Sequence, residues 1–271
     1  MEFFDSNKKI KNTDSKSNEI GRFVGFVLLS DSVWDKQQFI QDFSTEWGIV
    51  LHEENTKDEN DQDILLTEFD NMLLTMSLMP APVPEEEAEH YATANYMWPE
   101  AVEIVKTHQA HLLVAVLGIQ QDILERGKLF SKAVATCLGY ANALAVYTDG
   151  AVYQPCFYRD FAMMMKKNEL PFMDWVWFGL FNDKNQAGIY TYGMKKFGKD
   201  EMEVYVDAKQ VNFNELRAFM VDIVGYVLSS NVTLRDGETI GFSEEERLAI
   251  TRSKGVALDG ETLKIEYSTV E

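Results

Sequence analysis

The sequence predicts an α+β fold, a ferredoxin-like βαββαβ unit continued by a second half of helices and antiparallel sheet. Three observations predict it. Between residues 21 and 118, apolar runs of strand length and apolar four-residue spacings of helix length succeed one another as β-α-β-β-α-β. Beyond residue 118, Asp-Gly pairs at 149–150, 236–237 and 259–260 lie between apolar stretches, as tight hairpin turns require. An apolar content of 46%, with 12% aromatic residues, over 271 positions is enough to fill a sizeable core.

Residues 1–20 are polar, lack the apolar run of a signal peptide, and read as a disordered tail. The remainder, 21–271, reads as one α+β domain with 21–118 and 119–271 as sub-halves. Gly21 to Ser30 is the first strand. Ser32 to Asp35 has capping-box spacing, and Phe39, Phe43 and Trp47 mark one face of the helix that follows. The acidic stretch 52–63 reads as a solvated connection; Asp58, Asn60, Asp61 and Asp63 alternate, but without the glycine and final Glu of a calcium loop.

Ile64 to Phe69 and Met72 to Met79 form a hairpin around Asp70-Asn71, and prolines 80, 82 and 84 stop its second strand. A helix from Glu85 to Met97, kinked or restarted at Pro99 and running to Thr107, leads to the strand Leu112 to Leu117. The next helix spans Asp122 to Asn142 and feeds a hairpin, 144–148 with 151–154. Phe157 to Lys167 is helical. Met173 to Phe181, MDWVWFGLF, is apolar enough for a central strand. Ala187 to Met194 and Met202 to Val206 are strands, Asn214 to Ser229 is a helix, and hairpins over 232–240 and 256–267 close the chain.

A net charge of −19 and a pI near 4.6 exclude a nucleic-acid backbone or an anionic membrane as partner, because both need the opposite field. A basic protein partner fits. No stretch reaches the apolar length of a membrane helix. Two cysteines, Cys137 and Cys156, imply no disulfide framework, so the expected compartment is the reducing cytoplasm. No cofactor is expected.

The segments 77–84 (SLMPAPVP), 95–118, 147–160 (YTDGAVYQPCFYRD), 170–181 (LPFMDWVWFGLF), 190–204 (YTYGMKKFGKDEMEV) and 236–267 together resemble an uncharacterised bacterial family, domain of unknown function 4261. The resemblance runs over Phe23 to Tyr267. It implies a bacterial cytoplasmic protein with one family-wide domain, and it brings no catalytic residue or ligand.

Candidate chemistry rests on residue types and spacing. His108 and His111, three apart where helix turns to strand, share a side only if the helix persists; with His90 and the acids 85–89 they would be metal ligands, otherwise helix-end residues. Cys156, at a strand-to-helix junction beside Arg159, is a candidate nucleophile or a packed thiol. Trp98, Tyr153, Tyr158, Arg159, Trp177 and Tyr192, with Trp175 and Tyr190, are either interface anchors or the filling of a sheet, and Glu85, Glu86 and Glu87 add an acidic surface. Lys195, Lys196 and Lys199 around Gly193 and Gly198 are a phosphate site or a solvated turn.

The function expected is a non-enzymatic binding protein, an immunity or antitoxin-type factor for a basic partner. The alternative is a hydrolase or small-molecule-modifying enzyme that uses Cys156 or the His90, His108, His111 group.

Overall fold

The computed structural model describes residues 20–52, 63–118, 122–183, 185–243 and 246–267. The tail before Ile20, and Asp58, Asn60 and Asp61 of the acidic stretch, lie outside the described residues. The fold is α+β, with two sheets rich in antiparallel pairs. The chain packs into two compact units, Gly21–Asp174 and Trp175–Glu271, the second also taking in Ile20.

In the first unit, β1 (Phe23–Leu29), α1 (Lys36–Trp47), β2 (Ile64–Phe69), β3 (Met72–Met79), α2 (Glu87–Ala92), α3 (Ala101–Val105) and β4 (Ala110–Leu117) keep the expected βαββαβ chain order. They are followed by α4 (Ile123–Cys137), β5 (Ala143–Thr148), β6 (Ala151–Tyr153), α5 (Pro155–Ala162) and α6 (Phe172–Trp175), within which the unit ends at Asp174. The six strands form one sheet in the order β2-β3-β4-β1-β5-β6, every neighbour antiparallel.

That order corrects the ferredoxin-like detail, in which β1 lies between β3 and β4. Here Met79, at the end of β3, faces His111 near the start of β4, so the connection through α2 and α3 returns β4 antiparallel alongside β3. A division at 118/119 would also cut this sheet, because β5 pairs with β1.

Alternation along β1 separates two apolar layers. Phe23 meets Phe130 of α4 at 6.1 Å, and a side chain at Gly25 would lie 2.9 Å from Phe130, so only glycine lets α4 approach this closely. Leu28, on the other face, joins Val83, Ala88, Trp98, Val105 and Tyr147 in the cluster under α2 and α3. The helix expected to run from Glu85 to Met97 ends at Ala92, because Asn95 Oδ1 accepts from the backbone N–H groups of Met97 and Trp98, a turn that competes with helix. At α1 the cap is Asp35 itself, accepting from Gln38 N at 2.9 Å, and not Ser32.

The second unit contains β7 (Trp177–Asn182), β8 (Gln186–Tyr192), β9 (Met202–Asp207), α7 (Phe213–Ser229), β10 (Thr239–Ile240), β11 (Leu248–Lys254) and β12 (Glu261–Ile265). Their sheet order is β10-β11-β12-β9-β8-β7, antiparallel except for the β12–β9 pair. Met173 to Phe181 is therefore no central strand: its start is α6 and its end is β7, at the sheet's edge. The hairpin expected over 232–240 gives way to β10 paired with β11, and the one expected over 256–267 keeps its Asp259-Gly260 turn and β12 but takes β11 as its first strand. Asn212 caps α7 through Asn214 N and Glu215 N, and the buried stripe Leu216, Met220, Ile223, Val227 packs the helix on β7 and β8.

Candidate functional site

The histidines singled out by spacing do not converge on a metal. His108 is 4% exposed; its Nε2 accepts from Val83 N at 2.9 Å, which assigns the proton to Nδ1, donating to Val105 O at 2.6 Å. Both ring nitrogens thus serve the backbone. Glu89 Oε1 lies 3.6 Å from the same Nδ1. His111 donates from Nδ1 to Ala81 O at 2.8 Å and packs edge-on to Phe26; burial lowers its pKa. His90 is exposed beside Tyr91. Among the described residues no group of three His, Cys, Asp or Glu side chains is arranged to hold a metal ion.

Most of the predicted anchors are core. Trp98, Tyr153, Tyr158 and Trp177 are each 5% exposed or less, so alternate aromatics here fill the layers instead of forming a surface. Tyr192 is half-buried. Arg159 is committed within the unit, donating to Ala135 O at 3.0 Å and pairing with Glu46 at 2.8 Å. Cys156 is exposed in the first turn of α5. Glu85, Glu86 and Glu87 are exposed, and Glu85 (φ 59°) and Glu86 (φ 52°) hold left-handed backbone. Of the lysines around Gly193 and Gly198, Lys196 is buried and Lys199 Nζ donates to Asn231 Oδ1 and Thr233 Oγ1, both at 3.0 Å.

In the first unit one fully buried carboxyl group breaks the usual rule. Asp174 is 1% exposed, and neither carboxyl oxygen has a hydrogen-bond partner among the described residues. Burial pushes its pKa well above the carboxylate range. The buried phenols Tyr153 and Tyr158, themselves shifted upward by burial and then by Asp174, feel its charge, and Tyr158 shares a 3.2 Å hydrogen bond with Ser131.

The second unit carries an open groove of about 740 Å³ between α7 and the 232–242 segment. That volume lies in the range of ligand sites. Ile223 and Leu234 line it from the core side, while Tyr226 (50% exposed) and Phe242 (55% exposed) stand out to solvent. Phe219 braces Phe242 edge-on at 5.5 Å and Tyr267 at 5.0 Å. Asp222 and Glu238 are in the lining, which includes no Lys or Arg among the described residues. Glu246 adds a third carboxylate nearby, accepting from Phe242 N at 2.7 Å.

The groove residues escaped the sequence reading. Tyr226 lies off the buried stripe of α7, and Phe242 is a lone aromatic in the polar run GFSEEER; both are apolar side chains where periodicity asks for polar ones.

Buried charge stiffens the sheet beside α7. Glu203 of β9, 0% exposed, accepts from the successive backbone N–H groups of Val256, Ala257 and Leu258 at 2.9 to 3.2 Å and pairs with Lys264 at 2.8 Å. Lys264 also donates to Thr262. Glu201 accepts from Thr191 Oγ1 at 2.7 Å, Gly193 N at 2.9 Å and Lys195 N at 3.3 Å. Burial nevertheless pushes its pKa up to about 7.

Residues 190–266 match the family model of DUF4261, a domain of unknown function. The matched segment begins in β8 and ends just after β12, so it holds the whole groove and the Glu201 and Glu203 anchors. The resemblance read over Phe23 to Tyr267 is thus matched over its last third. No curated protein and no solved structure matches the chain. No helix among the described residues is long and apolar enough to cross a membrane.

Proposed function

We propose that the protein is a cytosolic bacterial binding protein, of the immunity or antitoxin type, that takes a basic partner in the groove of its DUF4261 segment. The observation that carries this reading is the groove's composition: exposed Tyr226 and Phe242 beside Asp222 and Glu238, with no cation among the described lining residues. Aromatic anchors supply contact area on docking, and carboxylates select a cationic partner and speed its approach. The formal charge of −19 extends that field over the whole chain and opposes anionic partners. The binding surface first read from Trp98, Tyr153 and Tyr158 gives way to this one, because those rings are packed inside.

The test is fluorescence anisotropy with a labelled octapeptide alternating Lys with Phe and Leu, at low salt. The expected result is saturable binding that weakens about tenfold or more in the Asp222→Lys, Glu238→Lys double variant and falls with added salt. Equal binding of the matching peptide with Glu in place of Lys, or binding unchanged by the double variant, contradicts the proposal.

A further inference from the structure

The groove's outer wall is a sheet edge, and that fixes how an occupant can be held. β10 ends the second sheet, and only two of its residues pair with β11, Thr239 with Ala249 and Ile240 with Leu248. One step before them, Ile250 N donates to Glu238 O at 2.9 Å, while Ile250 O accepts from Gly237 N at 2.9 Å. Opposed residues in an antiparallel ladder alternate between hydrogen-bonded and non-hydrogen-bonded pairs. Gly237 (φ 79°) and Glu238 thus share Ile250 as a bulge; beyond it the alternation makes Ile240 and Leu248 a bonded pair and Thr239 and Ala249 not, and Ala249 O accepts from Glu266 N on its other side. Thr239 therefore turns its N–H and C=O away from β11, toward the open side of the sheet.

The same residues, 237–242, line the groove together with Asp222, Ile223 and Tyr226 of α7. From this we infer that the groove binds an extended, cationic segment of a partner protein as an added strand on β10. The inference rests on the groove being a binding site for a basic partner and specifies the mode. A strand docked on Thr239 lies about 4.8 Å from β10 and sends alternate side chains to opposite faces. Its apolar residues fall toward Ile223, Tyr226 and Phe242, and its basic ones keep to the solvent side, within the field of Asp222 and Glu238.

Charge decides between occupants. A second copy of this chain would bring another −19 charge against the same rim, and a nucleic acid would bring phosphates. Neither matches two carboxylates with no cation among the described lining residues. The edges of the first unit's sheet are, by contrast, partly covered by the chain itself: Lys36 Nζ donates to Ile64 O on β2 at 3.1 Å, and Asn95 Nδ2 to Val152 O on β6 at 2.8 Å. Such covering is how natural edges avoid stray pairing. β10 is different in presenting its edge inside a groove with exposed aromatics.

The experiment uses the full chain and the labelled Lys/Phe/Leu octapeptide, with two backbone-methylated versions: one N-methylated at every Lys, the other at every apolar residue. Pairing along one edge uses only one of these two sets of N–H groups, so one methylated peptide is expected to bind at least about tenfold more weakly and the other like the parent. In the protein, Thr239→Pro removes the outward N–H at an edge position that tolerates proline and is expected to give the same loss, whereas Thr239→Val, which keeps it, binds normally. On hydrogen exchange, the Thr239 amide gains protection when the parent peptide binds. If both methylated peptides bind like the parent while Asp222→Lys, Glu238→Lys still weakens binding, strand addition is overturned and the groove reading stands. If the parent peptide does not bind, both are overturned. The methylated peptides decide the matter on the unmodified protein should Thr239→Pro fail to fold.

Discussion

In the Gly21–Asp174 unit, the residues that look most chemical are turned inward and used up: His108 bridges two backbone groups, Arg159 pairs with Glu46, and Tyr153 and Tyr158 are core. In the Trp175–Glu271 unit the charged side chains divide in two. Glu201 and Glu203 are buried and bonded to loops, whereas Asp222 and Glu238 stand beside exposed rings. Residue type alone does not mark a site. A histidine whose two nitrogens serve the backbone is architecture, and an aromatic left outside the buried stripe of its helix is the better sign of contact.

The largest effect that would sharpen this contrast is expected at Glu203. Glu203→Ala leaves Lys264 buried without its carboxylate and three N–H groups without an acceptor, and should lower the unfolding free energy by about 3–5 kcal/mol in urea titrations. Stability unchanged to within about 0.5 kcal/mol would mean the second unit is not held by its buried charges.

Asp174 should reveal itself through pH. Its folded pKa is raised, so the folded chain holds its proton more tightly than the unfolded chain, and its contribution is fully present below the ordinary carboxylate range and lost as pH rises. Asp174→Asn should therefore be more stable than the wild type at pH 8 but not at pH 4. Glu201, with the same sign between 4.5 and about 7, keeps its slope in the variant. Parallel pH curves for variant and wild type would refute the buried-acid description.

His108→Ala is expected to cost about 1–3 kcal/mol by stranding the Val83 N–H, with peptide binding unchanged, as melting and anisotropy on one sample would report. A loss of binding at normal stability would return the histidines to the functional list. Tyr226→Ala is the smallest in stability, within about 0.5 kcal/mol, yet should weaken peptide binding about tenfold or more.

Much of the fold was legible where patterns are local. Asp70-Asn71 and Asp149-Gly150 supply the positive φ of their hairpins, and α1, α4 and α7 follow their apolar spacing. Long-range choices were not: no spacing says that β4 slots between β3 and β1, or that β11 pairs with both β10 and β12. The α2 helix stopped early because a side-chain turn at Asn95 outcompeted it, a contest that periodicity does not register. Site reading failed for a related reason. The fates of Trp98 and His108 depend on which backbone groups need partners, and these appear only once the chain has folded.

Backbone amide shift mapping of the full chain, titrated with the Lys/Phe/Leu octapeptide, locates the binding surface. Perturbations centred on 222–226 and 237–242, with residues 85–91 and 108–111 silent, are the expected result. Perturbations centred on Glu85–Glu87 and His90, with Thr239 and Tyr226 unmoved, would contradict it.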